Sequence, residues 1–316
     1  MSSPSGLLPP GRTPMELAFR RFRKNRKAVV SFFLLVAVGF GTVAVPFLAT
    51  HEFDRQDYDY VRSAPLWVGE DALQSALLVV ENKRLPDHPN TFWMGTDAVG
   101  RDLFVRVFKG GRISFAVGLL ATAVSVLIGI AYGSISAFAG GKTDLVMMRF
   151  VDILYGLPYM FIVIIAMAIF ESRSFLLVFL VLGLFGWMTL SRIVRGQVLS
   201  LKEREFVEAA RALGVSTPAI IMRHIIPNIL GPVIVYATLT VPSIMLSESF
   251  LSFLGLGISE PETSWGVLIN EGARALSPLK VAWWLVTFPG VFLALTLFCL
   301  NSVGDGLRDA FDVQQR

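Results

Sequence analysis

The sequence predicts an all-α, polytopic membrane protein with six transmembrane helices. Of its 316 residues 54% are hydrophobic and only 16% charged, against about 25% charged in a soluble domain. The apolar residues are gathered into long blocks rather than spread at a helix or strand period, as a soluble core requires. A basic run, Arg20, Arg21, Arg23, Lys24, Arg26 and Lys27, ends where the first block begins, and juxtamembrane cations of this kind set topology.

Crossing a bilayer core takes about 20 helical residues at about 1.5 Å each. Six uncharged runs have that order of length: 28–50, 113–141, 153–170, 174–191, 225–247 and 281–304. The third and fourth hold 18 residues each, and the third is expected to begin earlier, taking in Arg149 and Asp152. Those two are three apart, so on a helix they share a face and are expected to pair near its cytoplasmic end.

The basic run places segment 1–27 in the cytoplasm, and six crossings return the tail 305–316 to the same side. The loops 142–149 and 192–224 then become cytoplasmic, the second rich in Arg and Lys. A cleavable signal peptide competes for the first span, but its uncharged run is 23 residues long with 27 ahead of it. Segment 51–112 mixes both charge signs with Pro65, Pro86 and Pro89 and reads as an extracytoplasmic excursion whose fold the sequence does not reveal. A second outside segment, 257–280, carries Trp265, placed where an interfacial aromatic anchor is expected. The five-helix core runs from 113 to 304 and includes this second outside segment and the cytoplasmic loop 201–228.

The cytoplasmic loop 201–228 encodes two short helices and a tight turn. Phe206, Ala210 and Leu213 recur at helical spacing, and Gly214 follows as the residue best suited to the left-handed conformation that ends a helix. Ser216 or Thr217 is placed to cap the next helix, with Pro218 in its first turn, where a missing N–H costs nothing. Glu208, Ala209 and Ala210 are expected on an exposed helix whose small alanines admit another surface; an amphipathic helix resting on headgroups is the alternative.

Glu208-Ala209-Ala210, three residues, Gly214, nine residues, then His224-Ile225-Ile226-Pro227 resembles the EAA loop of ABC importer permeases. Family members close this loop with Ile-x-Leu-Pro; the His-Ile-x-Pro-Asn form here is similar to that of the oligopeptide and dipeptide subset. Three further stretches resemble the second permease of peptide importers: Gly95-Thr-Asp-Ala-Val-Gly-Arg-Asp102 with Gly111-Arg-Ile-Ser114, Ser249-Phe-Leu-Ser-Phe-Leu-Gly-Leu-Gly257, and Gly304-Asp-Gly-Leu-Arg-Asp-Ala-Phe-Asp312. Residues 50–90 match less clearly.

The resemblance implies the type I ABC importer permease fold. It also implies a second homologous permease, two ATPase subunits, and an extracytoplasmic binding protein that delivers a peptide or similar solute such as a nickel complex or glycoside. It carries the ATPase-coupling role to Glu208, Ala209, Ala210, Arg211, Gly214, Pro218, Arg223, His224 and Pro227. ATP and Mg would be used by the partners, with no cofactor on this chain.

That division agrees with the motifs. Gly141-Lys142-Thr143 fails as a phosphate loop, because the earlier glycine it needs would fall at Ser136 and it follows an apolar run rather than a strand. The only cysteine is Cys299, and the histidines His51, His88 and His224 are scattered, so neither a disulfide framework nor a metal site is expected. An intramembrane enzyme is the competing class, because Ser247 and Ser249 flank Glu248; no base is expected at that depth. A passive channel is the other alternative. Glu248, with Ser249 and Met245, is expected either at the interface with the second permease or along the translocation pathway, because a lone charge in lipid is costly.

Overall fold

The computed structural model describes residues 14–49, 52–68, 91–170, 175–276 and 281–311. Among these, every regular element is helical. Expectations for His51, His88, Pro86, Pro89 and Asp312 lie outside the described residues.

The basic segment is not extended: it forms a short helix, α1 (Pro14–Lys24), just ahead of α2 (Arg26–Leu48). Asn25 breaks the two and caps α2, its side-chain oxygen accepting the Ala28 N–H at 3.2 Å. α2 covers the first expected span. α3 (Leu103–Ala139) begins ten residues before the second expected run, so 103–112 is helix rather than excursion. Asp102 starts it by accepting the Phe104 N–H at 2.9 Å.

The third span is broken. α4 (Gly141–Tyr155) and α5 (Tyr159–Phe170) meet at an angle of 80°. Gly156-Leu157-Pro158 accounts for the corner: proline disfavours helix at the residue before it and then opens α5. α6 (Phe175–Leu201) outruns the fourth expected span by a further ten residues. The fifth span is α9 (Ile226–Phe253) and the sixth α11 (Trp284–Phe311), which takes in seven residues expected in the tail. Among the described residues, five helices are long and apolar enough to cross a membrane, or six if the bent pair is one span.

α3 is the axis of the bundle, packed on α6, α9 and α2. Gly118 lets Met245 of α9 close on it: an added Cβ would sit 2.6 Å from the Met245 Cγ. Elsewhere the surface is apolar, with Phe33, Phe47, Leu127 and Phe298 all exposed, which suits lipid as the surrounding solvent.

Between α9 and α11, the second segment expected outside holds α10 (Trp265–Ala275). Trp265 is no interfacial anchor: it is fully buried, and its Nε1 donates to the Val107 carbonyl at 2.8 Å. The expected Arg149–Asp152 pair is not made either. Asp152 accepts instead from Arg192 at 2.7 Å, a partner from α6 that the bend brings alongside. Gly141-Lys142-Thr143 is simply the first turn of α4, where Asp144 takes a two-point contact from Arg195 at 2.5 and 2.6 Å.

Candidate functional site

At the C-terminal end of α3 the loop folds as α7 (Glu205–Ala212) and α8 (Thr217–Ile220), followed by one π-helical turn, Ile221–Ile225. Gly214 has φ +77°, the left-handed conformation expected of it. Its N–H donates to Arg211 O at 2.9 Å and the next, Val215, to Ala210 O at 3.1 Å. That pair of bonds is the Schellman closure of a helix. Ser216 stands at the start of α8 with Pro218 in its first turn, but the Ser216 side chain makes no capping bond; it is the main-chain carbonyl that accepts, from Ile220.

The π turn has a local cause. Pro227 has no N–H to give the Arg223 carbonyl, and the Ile226 N–H reaches back five residues to Ile221 O. The Asn228 side chain donates to the His224 carbonyl at 2.6 Å. His224 and Asn228, the residues that set this loop apart from the general EAA pattern, thus secure the junction with α9.

The two faces of α7 are not divided as spacing suggested. Val207 and Ala210 turn inward, packing with Ile220, Ile225 and Ile229 on Leu190, Val194 and Val198 of α6. Phe206 and Leu213 point out, Leu213 being 84% exposed. Of the residues singled out for coupling, Glu208, Ala209, Arg211, Gly214, Pro218, Arg223 and Pro227 are exposed, His224 is half-buried, and Ala210 is buried. Only Ala209 of the alanine pair offers a small outward surface. Arg211 lies over the Phe138 ring at 5.0 Å, tying α7 to the end of α3. Met222, in the π turn, is exposed as well.

The other singled-out group lies towards the opposite end of α3. Met245, Glu248 and Ser249 are all buried within this chain, Glu248 completely. Its Oε1 accepts from Ser264 at 2.7 Å and from Ser252 at 2.8 Å; its Oε2 accepts the longer contacts from Ser249 and Ser114, at 3.4 and 3.5 Å. Ser264 also caps α10, taking the Val267 N–H, and Ser114 takes the Trp265 N–H. Glu248 therefore ties α3, α9 and α10 together. The carboxyl finds its hydroxyl donors in its own chain and does not reach that chain's outer surface.

Beyond it, Arg106 in the first turn of α3 is 3% exposed and donates to Asp97 at 2.6 Å and to Glu271 of α10 at 2.7 Å. Asp97 also accepts the backbone N–H groups of Val99 and Arg101, each at 2.9 Å. The Gly95–Asp102 stretch is thus a turn folded around Asp97, not itself an exposed loop.

Residues 125–316 match the family model described as the binding-protein-dependent transport system inner membrane component. The chain belongs to that family. Residues 13–65 match a second model, the N-terminal TM domain of oligopeptide transport permease C. This binding-protein-dependent permease is 45% identical to the oligopeptide transport system permease protein OppC of Haemophilus influenzae, over 97% of this chain and 90% of that one. It is 46% identical to OppC of Escherichia coli K12, over 97% and 93%, and 40% identical to the dipeptide permease DppC of Bacillus subtilis, over 95% and 85%. Among solved structures, a chain of the inward-facing MetNI methionine ABC transporter matches with a TM-score of 0.52 at 15% identity, covering 64% of this chain and 94% of that one. The shared fold is that of an ABC importer permease, and the permease is a multi-pass inner-membrane protein.

Proposed function

We propose that this permease imports oligopeptides or dipeptides, paired with a second, homologous permease and supplied by an extracytoplasmic binding protein. Two ATPase subunits bind below and provide the energy, so the chain itself carries no catalytic group and no cofactor. Both of its termini lie in the cytoplasm, on the side of the 201–228 loop.

The observation that carries the coupling part is the outward face of that loop. Leu213, Met222 and Phe206 are exposed apolar side chains beside the charged Glu208 and Arg223, on a segment rich in cations that the positive-inside rule assigns to the cytoplasm. An apolar patch with a charged rim facing water marks a protein contact. The peptide cargo is supported by the relatives named above. As ATP closes the partner subunits, a helix pair locked to α3 and α6 by a buried inner face moves those helices as rigid bodies.

The test is reconstitution of the chain with the second permease and both ATPases in sealed vesicles, with binding protein and labelled peptide outside. ATP-dependent accumulation of peptide supports the reading. Uptake that proceeds without ATP would point to a passive channel, and ATP-driven uptake of a different solute would replace the cargo.

A further inference from the structure

We propose that the groove between α1, α2 and α11 seats one acyl chain of an anionic phospholipid, its headgroup held by the basic residues of α1. The groove encloses about 820 Å³. Val303, Leu307 and Phe311, at i, i+4 and i+8 of α11, form one wall, and Phe32 and Phe33 of α2 form the other. Arg23 also lines it and is exposed.

Three features of the site select a lipid. First, its depth is right: from Arg26 at the start of α2 to Phe33 the helix rises roughly 10 Å, about the depth to which an interfacial helix buries its apolar face. A headgroup at Arg23 thus leaves its chain beside Phe33. Second, between residues 16 and 27 the charges are Glu16 against Arg20, Arg21, Arg23, Lys24, Arg26 and Lys27. All six basic side chains are exposed, which is the complement of an anionic surface. Third, α1 is anchored from the α11 side and leaves the groove open. An added Cβ at Gly306 would lie 2.4 Å from the Ala28 Cβ of α2 and 3.2 Å from the Phe22 ring, so glycine lets α11 approach both helices closely, and the Arg21 guanidinium reaches the Ala310 carbonyl at 3.5 Å. Phe33 continues the groove onto the lipid-facing surface, being 64% exposed.

The experiment is native mass spectrometry of the full chain released from detergent holding equal amounts of phosphatidylglycerol and phosphatidylcholine. One phosphatidylglycerol retained in preference to phosphatidylcholine is expected. Arg23→Gln should lower that preference roughly fivefold, the weight of one basic side chain at an anionic surface. Leu307→Trp should abolish it by filling the groove, with the basic run intact; a melting temperature close to that of the parent chain shows that this variant folds. Lys109→Gln, far from the groove, should leave the ratio unchanged. Equal retention of the two lipids by the parent chain overturns the proposal. So does a preference that survives Leu307→Trp, because the cations would then act without a seat. Cross-linking of Phe33→Cys to another subunit in the assembled transporter would likewise show protein, not lipid, in the groove.

Discussion

Leu213 leaves 84% of its surface exposed at one end of α3, while near the other end Arg106 keeps 3% and Glu248 none. The hydrogen bonds that shape the loop around Leu213 are local: the Gly214 turn, the Pro227 break and the Asn228–His224 bond all join residues within five positions of one another. The end around Arg106 and Glu248 is held by bonds across 165 residues, from Arg106 to Glu271, and across 134, from Ser114 to Glu248. The contrast implies a division of labour. The surface read as a protein contact is shaped by local bonds and left uncovered, whereas the opposite end is fixed by buried polar bonds between elements far apart in sequence.

The contrast is broken most severely at Arg106. Truncating it to Ala takes one guanidinium from the buried Asp97, which keeps Arg101 at 2.6 Å, and both bonds from Glu271, so the cost should lie near the lower end of the about 3–5 kcal/mol seen when a buried pair loses one member. Thermal unfolding of the Arg106→Ala chain in detergent should therefore show the largest loss among these variants. An unfolding temperature equal to that of the parent chain would mean that this end of the fold does not depend on these bonds.

Glu248→Ala should come next. It leaves the hydroxyls of Ser264 and Ser252 without their buried acceptor, each at about 1–3 kcal/mol, while Glu248→Gln keeps an acceptor oxygen and should be milder. If the two variants unfold alike, the ring of serines is not what holds this carboxyl's neighbourhood together. Assembly with a second permease should survive both substitutions wherever the chain still folds, since Glu248 is internal.

Gly214→Val is a smaller perturbation of stability and a sharper one of geometry. A Cβ at Gly214 would meet nothing within 4 Å, so the whole penalty is the left-handed backbone at φ +77°, about 1–2 kcal/mol for a residue with a side chain. Gly214→Asn, which tolerates that region, should retain ATP-driven uptake that Gly214→Val loses. Equal uptake by both would show that the turn does not set the loop.

These same two regions explain what the sequence discloses. The loop was legible because glycine, proline and cap residues act on their immediate neighbours, and the six spans were legible because lipid demands long apolar runs. The inward face of α7 was not, since choosing Val207 over Phe206 depends on where α6 lies, and no local period encodes that. Trp265 was read as an anchor for the same reason: its partner, Val107, is 158 residues away. The carboxyl of Glu248 stood out as costly in lipid, but its four serine donors come from three elements, and only the fold brings Ser114 and Ser264 to it. The corner between α4 and α5 was foreshadowed by Pro158 inside an otherwise uniform run, a break that a search for unbroken spans passes over.

Leu213→Asp tests whether the loop's outward face is an ATPase contact or a fold determinant. With its side chain in solvent, the substitution should shift stability by no more than about 0.5 kcal/mol. Co-purification of the ATPase subunits with the tagged permease, measured beside the unfolding temperature of the same preparation, is the deciding observation. The expected result is an unchanged unfolding temperature with loss of the ATPases; full retention of the ATPases on a normally folded Leu213→Asp chain would contradict the assignment.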